Sequence, residues 1–228
     1  MKTIIIALSG KKSAGKNTLS SFIRDYFAKK WYKGDRSIPF CKEFAFADLL
    51  KEFCIETLGL SYSQCYGTDE EKNTPTIYPY LINKWPRSLA EQVIKEGKVP
   101  AQHLDGFMTG REVMQNFGTE CIRHWFGNVW AQATLRRIQK CSPALAIIND
   151  CRFSNEVESI LNYPNGHIIR LTRSPYNDNH ASEISLDSFD FNQNKCYILN
   201  NAKLLKKEQE EAITPILDQI FQTELKSE

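Results

Sequence analysis

No stretch of the 228-residue sequence stays apolar for long. The longest runs, Ile4 to Leu8 and Ala144 to Ile148, fall far short of the roughly 20 residues of a membrane helix, so no span is expected. A charge excess is lacking too: 29 Lys+Arg face 27 Asp+Glu, for a formal net charge of +2. Bulk attraction to nucleic acid is thereby excluded, and any phosphate must be held by local placement of charge. Zinc chemistry has little to work with. None of the seven cysteines forms a C-x-x-C pair, and the four histidines fall in neither an H-E-x-x-H nor a finger spacing. The N-terminal apolar stretch runs straight into a Gly/Lys-rich loop and does not read as a signal peptide. A cytoplasmic protein with reduced thiols is therefore expected. Internal repeats and low-complexity tracts are absent. At 42% hydrophobic and 25% charged residues, the chain is neither disordered, collagenous nor a coiled coil. Its length suits one domain carrying insertions, or two small ones.

What is there begins with Thr3 to Ser9, an apolar run that reads as a strand buried on both faces. A glycine loop follows, and then Leu19, Phe22, Ile23, Tyr26 and Phe27 mark one face of a helix. This strand–loop–helix unit opens an α/β fold. Lys42 to Phe46 reads as a second strand, and Ala47 to Leu58 as a helix stopped by Gly59. From residue 59 to 108 the pattern weakens under four prolines, with a helix expected from about Pro86 to Glu96. We read this stretch as an excursion on one side of the sheet, of a length that would be unusual for a structureless loop unless it binds something. The helical period returns from Thr109 to Lys140, with interruptions expected at Gly118 and Gly127. Three more strands follow: Pro143 to Asn149, His167 to Thr172 and Cys196 to Leu199. The last helix, Leu204 to Phe221, contains Pro215, which should kink or split it.

The strongest chemical signal is Gly10-x-x-x-x-Gly15-Lys16, placed between a strand and a helix as a phosphate-binding P-loop must be. Glycines let successive backbone N–H groups turn inward onto phosphate oxygens, and the helix N-terminus adds its dipole. Lys16 supplies a mobile full charge for the β- and γ-phosphates. The motif departs from the usual form in one place. The Ser or Thr that binds Mg²⁺ after the lysine is replaced by Asn17, and Thr18 comes next. That argues against a GTPase or motor ATPase. It resembles adenylate-kinase-like proteins, in which Gly-Lys-Gly-Thr is usual and the metal is held mostly through water. The strand Ala144 to Asp150 ends in a carboxylate of the kind that orients Mg²⁺ through water in P-loop proteins. Arg152 follows at the same sheet edge, where a cation can neutralise charge on a transferring phosphoryl group.

Several blocks, in order over nearly the whole chain, resemble the deoxynucleoside monophosphate kinases of tailed bacteriophages. They are the Gly-Lys-Asn-Thr end of the P-loop, Phe46-Ala47-Asp48-Leu-Leu-Lys51, Arg111-x-x-x-Gln115-x-x-Gly118-Thr119-Glu120-x-x-Arg123, Asp150-Cys-Arg152-Phe153-Ser-Asn155-Glu156, His180-Ala-Ser182-Glu183 and Tyr197-x-x-Asn200-Asn201. The resemblance implies an α/β P-loop kinase in a single domain, 1–228. It would have a five-stranded parallel sheet, helices on both faces, a substrate-binding excursion at 59–108 and a short lid at 174–189. It implies transfer of phosphate from ATP, with Mg²⁺, to a deoxynucleoside 5′-monophosphate, for deoxynucleotide supply. Neither a nucleic acid polymer nor a membrane is an expected partner, and a homodimer is reasonable.

Roles follow as expectations. Lys12, Ser13, Ala14, Gly15, Lys16, Asn17 and Thr18 hold the ATP phosphates, and Arg173 stacks on the adenine. Lys16, Arg152 and Asp150 are the catalytic set, with Asp150 reaching the metal through water. Lys51, Arg111, Gln115, Gly118, Thr119 and Arg123 receive the acceptor nucleotide. Arg111, Gln115 and Arg123 share a helix side if the helix continues, and Gln115 can read a base edge because an amide both donates and accepts. His180 and Glu183 belong to the lid, which excludes water. Two alternatives stay open: a P-loop kinase for another small phosphorylated acceptor, of the dephospho-coenzyme A or phosphomevalonate type, and a non-catalytic ATP switch.

Overall fold

The computed structural model describes residues 2–32, 40–80, 87–96, 106–176 and 181–226. The chain divides into two compact units, one formed by Met1–Ala47 with Asn128–Glu228 and the other by Asp48–Gly127.

The first unit is built on five strands. They are β1 (Ile4–Ser9), β2 (Cys41–Phe44), β5 (Leu145–Cys151), β6 (Gly166–Leu171) and β7 (Cys196–Leu199), in the spatial order β2-β5-β1-β6-β7. Every pairing is parallel. All six residues of β1 are buried, as a strand covered on both faces requires. Alternation then divides its side chains between two cores. Ile4, Ile6 and Leu8 pack with Leu19, Ile23 and Phe27 of α1 (Lys16–Lys30) and with Ile213, Leu217, Ile220 and Phe221 of α11 (Lys206–Lys226). Ile5 and Ala7 pack on the other face with Ala131, Leu135 and Ile138 of α8 (Val129–Cys141) and Val157 and Ile160 of α9 (Ser154–Leu161). Neighbouring strands β1 and β5 thus send their following helices to opposite faces. That reversal opens a crevice at the carboxyl ends of the two strands, the place where open α/β sheets bind ligands. Gly10 follows β1 there, and Arg152 follows β5, the register pairing Ser9 with Cys151.

The five strands expected from sequence are all present, with ends shifted by no more than two residues. Pro215 does not split the last helix, which runs unbroken from Lys206 to Lys226. An interior proline costs about 3 kcal/mol. Burial of four large apolar side chains around it, at about 1.5–3 kcal/mol each, outweighs that.

The second unit holds α2 (Asp48–Glu56), α3 (Tyr62–Tyr66), α4 (Asp69–Lys72), β3 (Pro75–Pro79), α5 (Arg87–Lys95), β4 (Phe107–Thr109) and α6 (Gly110–Gln115). A π-helical segment, Asn116–Arg123, and α7 (His124–Phe126) complete it. Capping boxes start α3, α4 and α6, through Ser61 with Gln64, Thr68 with Glu71 and Thr109 with Glu112. Gly59, at φ 68°, follows α2 as the expected stop. The antiparallel pair β3–β4 was not anticipated. Neither was the continuity at Gly118, which lies inside the π-helical segment and does not interrupt it. A Cβ on Gly118 would stand 2.3 Å from Leu50 Cδ2, so this glycine serves close packing. Gly127, at φ 37°, does end α7. Pro86, the expected start of α5, lies outside the described residues. Among the described residues, no helix is long and apolar enough to cross a membrane, and all seven cysteines are free.

Candidate active site

The loop between β1 and α1 turns through two left-handed residues, Ser13 at φ 58° and Gly15 at φ 99°. Gly15 takes this conformation without the penalty that a Cβ carries. The turn folds Lys16 back over its own loop. Its Nζ donates to the carbonyl of Gly10 at 2.6 Å and to that of Lys11 at 2.8 Å. Lys16 is only 8% exposed, and burial lowers its pKa to about 8. The cations of Arg152 and Arg170 push the same way, while Glu183 and Asp150 oppose them. Ser13, Asn17 and Thr18 are exposed on the loop and the first turn of α1, whereas Ala14 is buried beneath it.

Two carboxylates from the segment after β6 lie on this loop. Glu183, in the short helix α10 (Ala181–Ile184), accepts from the Lys12 N–H at 2.7 Å and from the Arg152 guanidinium. Asp187 accepts from Lys11 Nζ at 2.9 Å and lies 3.6 Å from Arg170. Glu183, grouped with the lid from sequence, thus bridges a P-loop amide and Arg152 here. His180, its expected companion, lies outside the described residues.

Asp150 is engaged by backbone: Oδ1 accepts from the N–H of Phe46 at 2.7 Å and Oδ2 from that of Ala47 at 3.0 Å. It joins the end of β5 to the residues that follow β2. A carboxylate oxygen can accept more than one hydrogen bond, the property that a Mg²⁺-bound water would call on. Arg173 donates its backbone N–H to Asn201 Oδ1 at 2.9 Å and its guanidinium to the Leu204 carbonyl.

Arg170 was missed from sequence. It sits in β6 opposite Ser9, donates to Ser9 Oγ at 3.0 Å, and lies 5.3 Å from the centre of the Phe191 ring. Its signal was a charge inside an apolar strand, Gly166 to Leu171. Such a charge is buried only when it is paired.

In the second unit, Lys51 Nζ lies 4.4 Å from the Tyr66 ring centre, within cation–π range. The Tyr66 hydroxyl is 3.5 Å from Asp48, and burial pushes its pKa up to about 12. Arg111 is paired with Asp69 at 2.6 Å and donates to Asn73 at 3.1 Å. Gln115 follows one α-turn later. The π-helical turn begins at Asn116, so the α spacing that grouped Arg123 with them ends there. Thr119 and Arg123 are half-buried, and Gly118 is buried. Such π turns are frequent at functional sites.

No protein-family model matches the chain. A protein of Acanthamoeba polyphaga mimivirus named "Putative deoxynucleotide monophosphate kinase" is 30% identical over 191 residues, covering 81% of this chain and 83% of its own length. That similarity spans both units and agrees with the five-stranded parallel sheet and the loop that follows its central strand. The chain belongs to the deoxynucleotide monophosphate kinase family.

Proposed function

We propose that the protein transfers the γ-phosphoryl group of ATP to a deoxynucleoside 5′-monophosphate, giving ADP and the deoxynucleoside diphosphate. The observation that carries this reading is the placement of Lys16. Its buried ammonium is folded onto the P-loop at the crevice of the sheet, within the field of Arg152 and Arg170. The mimivirus relative's name supports the acceptor class.

A phosphate oxygen of the acceptor attacks the γ-phosphorus, and the bond from phosphorus to the β–γ bridging oxygen breaks. ADP carries away the electron pair of that bond. Little covalent work falls to the protein, so its contribution is positioning and charge. P-loop amides and Lys16 hold the donor phosphates, and Lys16 exchanges its two carbonyl partners for phosphate oxygens. Arg152 neutralises charge that grows on the transferring group. Arg173 lies against the adenine. Brought in with ATP as part of the substrate, Mg²⁺ would supply further neutralisation, and Asp150 is the residue that would hold it through water. On the second unit, Lys51, Arg111 and Arg123 offer cations to the acceptor phosphate, Gln115 reads the base, and the nucleotide approaches the backbone at Thr119, Gly118 being packed against Leu50. Glu183 belongs to the segment that covers the loop and excludes water.

The test is ADP formation measured with each deoxynucleoside monophosphate in turn and without any. Acceptor-dependent ADP with at least one of them is expected. ADP formation that no deoxynucleotide changes, or that responds to dephospho-coenzyme A or phosphomevalonate alone, would overturn the reading.

A further inference from the structure

Two buried amides under the P-loop have no part in the chemistry described so far. Asn201, fully buried between β7 and α11, donates from Nδ2 to the carbonyl of Ala14 at 2.8 Å and to Gln209 Oε1 at 3.1 Å. Its Oδ1 accepts the Arg173 N–H, and its own N–H donates to Thr172 Oγ1 at 3.2 Å. Gln209 is 7% exposed and donates to the Leu204 carbonyl at 3.1 Å. A Cβ on Gly15 would stand 3.3 Å from Gln209 Oε1 and 3.9 Å from Asn201 Nδ2, so the loop rests directly on this pair.

The consequence lies in peptide geometry. The Ala14 carbonyl and the Gly15 N–H belong to one peptide group. The described backbone has no cis bonds, and a planar trans peptide points its C=O and N–H in opposite directions. A carbonyl pinned inward onto Asn201 therefore turns the Gly15 N–H outward, to the side where P-loop amides meet phosphate. Left free, a loop that contains a glycine at φ 99° could rotate this peptide.

We propose that Asn201 is a positioning residue for phosphoryl transfer: by holding the Ala14 carbonyl it aims the Gly15 N–H at the nucleotide phosphates, and through Arg173 it ties that amide to the adenine end of the same nucleotide. This rests on the ATP reading above.

Asn201→Asp keeps the acceptor for Arg173 but sets carboxylate oxygen against two other oxygens, Ala14 O and Gln209 Oε1. Steady-state kinetics well below each variant's Tm are expected to show kcat/KM for ATP reduced at least tenfold and KM for the monophosphate within about twofold. Gln209→Leu leaves the Asn201–Ala14 bond in place and should keep kcat/KM for ATP within threefold. Equal losses on both substrates in both variants, or an Asn201→Asp enzyme within threefold of the unaltered one, would overturn the proposal. If Asn201→Asp does not fold, NMR on the unaltered protein decides. Added ADP should shift the Gly15 amide resonance while the Asn201 side-chain amide stays protected from exchange. An unshifted Gly15 amide, or Asn201 protons exchanging like surface amides, contradicts it. Acceptor-dependent ADP formation by the unaltered protein reports separately on the function itself.

Discussion

The ammonium of Lys16 is largely shielded from water, held by two carbonyls of its own loop and against the fields of two arginines. Burial leads the causes that lower its pKa to about 8. The phosphates of ATP would reverse that, because a polyanion favours the charged form. At pH 8 free Lys16 is about half protonated, so ATP binding should take up about half a proton, and only about a tenth at pH 7. Calorimetry in buffers of different ionisation enthalpy reads this directly, and uptake that does not rise between pH 7 and pH 8 would contradict it. Lys16→Ala should keep the fold and lower the transfer rate by about 10²–10³, the usual loss for one charge contact at developing negative charge. Activity within about threefold of the unaltered enzyme would remove Lys16 from the site.

At the scale of elements, the parallel strands were legible because burial on both faces forces nearly continuous apolar runs, as in Ile4 to Leu8 and Ala144 to Ile148. The tight loop between β1 and α1 was legible because two glycines and a lysine at that spacing have few other uses between a strand and a helix. The β3–β4 pair was not legible. Prolines bound β3, and its residues are exposed or half-buried, so no apolar alternation shows. The π-helical segment was hidden as well, since nothing in Asn116 to Arg123 departs from an α-helical pattern except one glycine. Arg170 and Asn201 are polar residues whose partners come from distant sequence, which no local pattern reveals. Packing between elements also sets a sharp limit at Gly166, where β6 begins against the end of α9. A Cβ there would stand 2.0 Å from the Ile160 carbonyl oxygen, a backbone atom that cannot swing away. Gly166→Ala should therefore cost about 1–3 kcal/mol of stability, read as a lowered urea midpoint. An unchanged midpoint would show that α9 does not sit as described.

At the scale of the molecule, the two units differ in how much their described residues bury. The sheet unit has two cores, with β1 shared between them. The core of the second unit rests on Cys54, Leu60, Cys65 and Val113, with half-buried neighbours around them. Local opening follows buried apolar contact, so amides of α3 to α6 should exchange with deuterium faster than those of β1, β5 and β6. Mass spectrometry of exchange checks this, and equal protection would contradict it. The same division places the ATP-binding candidates on one unit and the acceptor-binding candidates on the other. The account stands on their acting together in one transfer. The most direct measurement supplies ATP labelled in its γ-phosphate, with each deoxynucleoside monophosphate in turn, and follows the label. The account predicts that label appears in a deoxynucleoside diphosphate, that it does so only when the protein and the acceptor are both present, and that Lys16→Ala abolishes most of it. Label that appears only as inorganic phosphate, at a rate no deoxynucleotide alters, would contradict it.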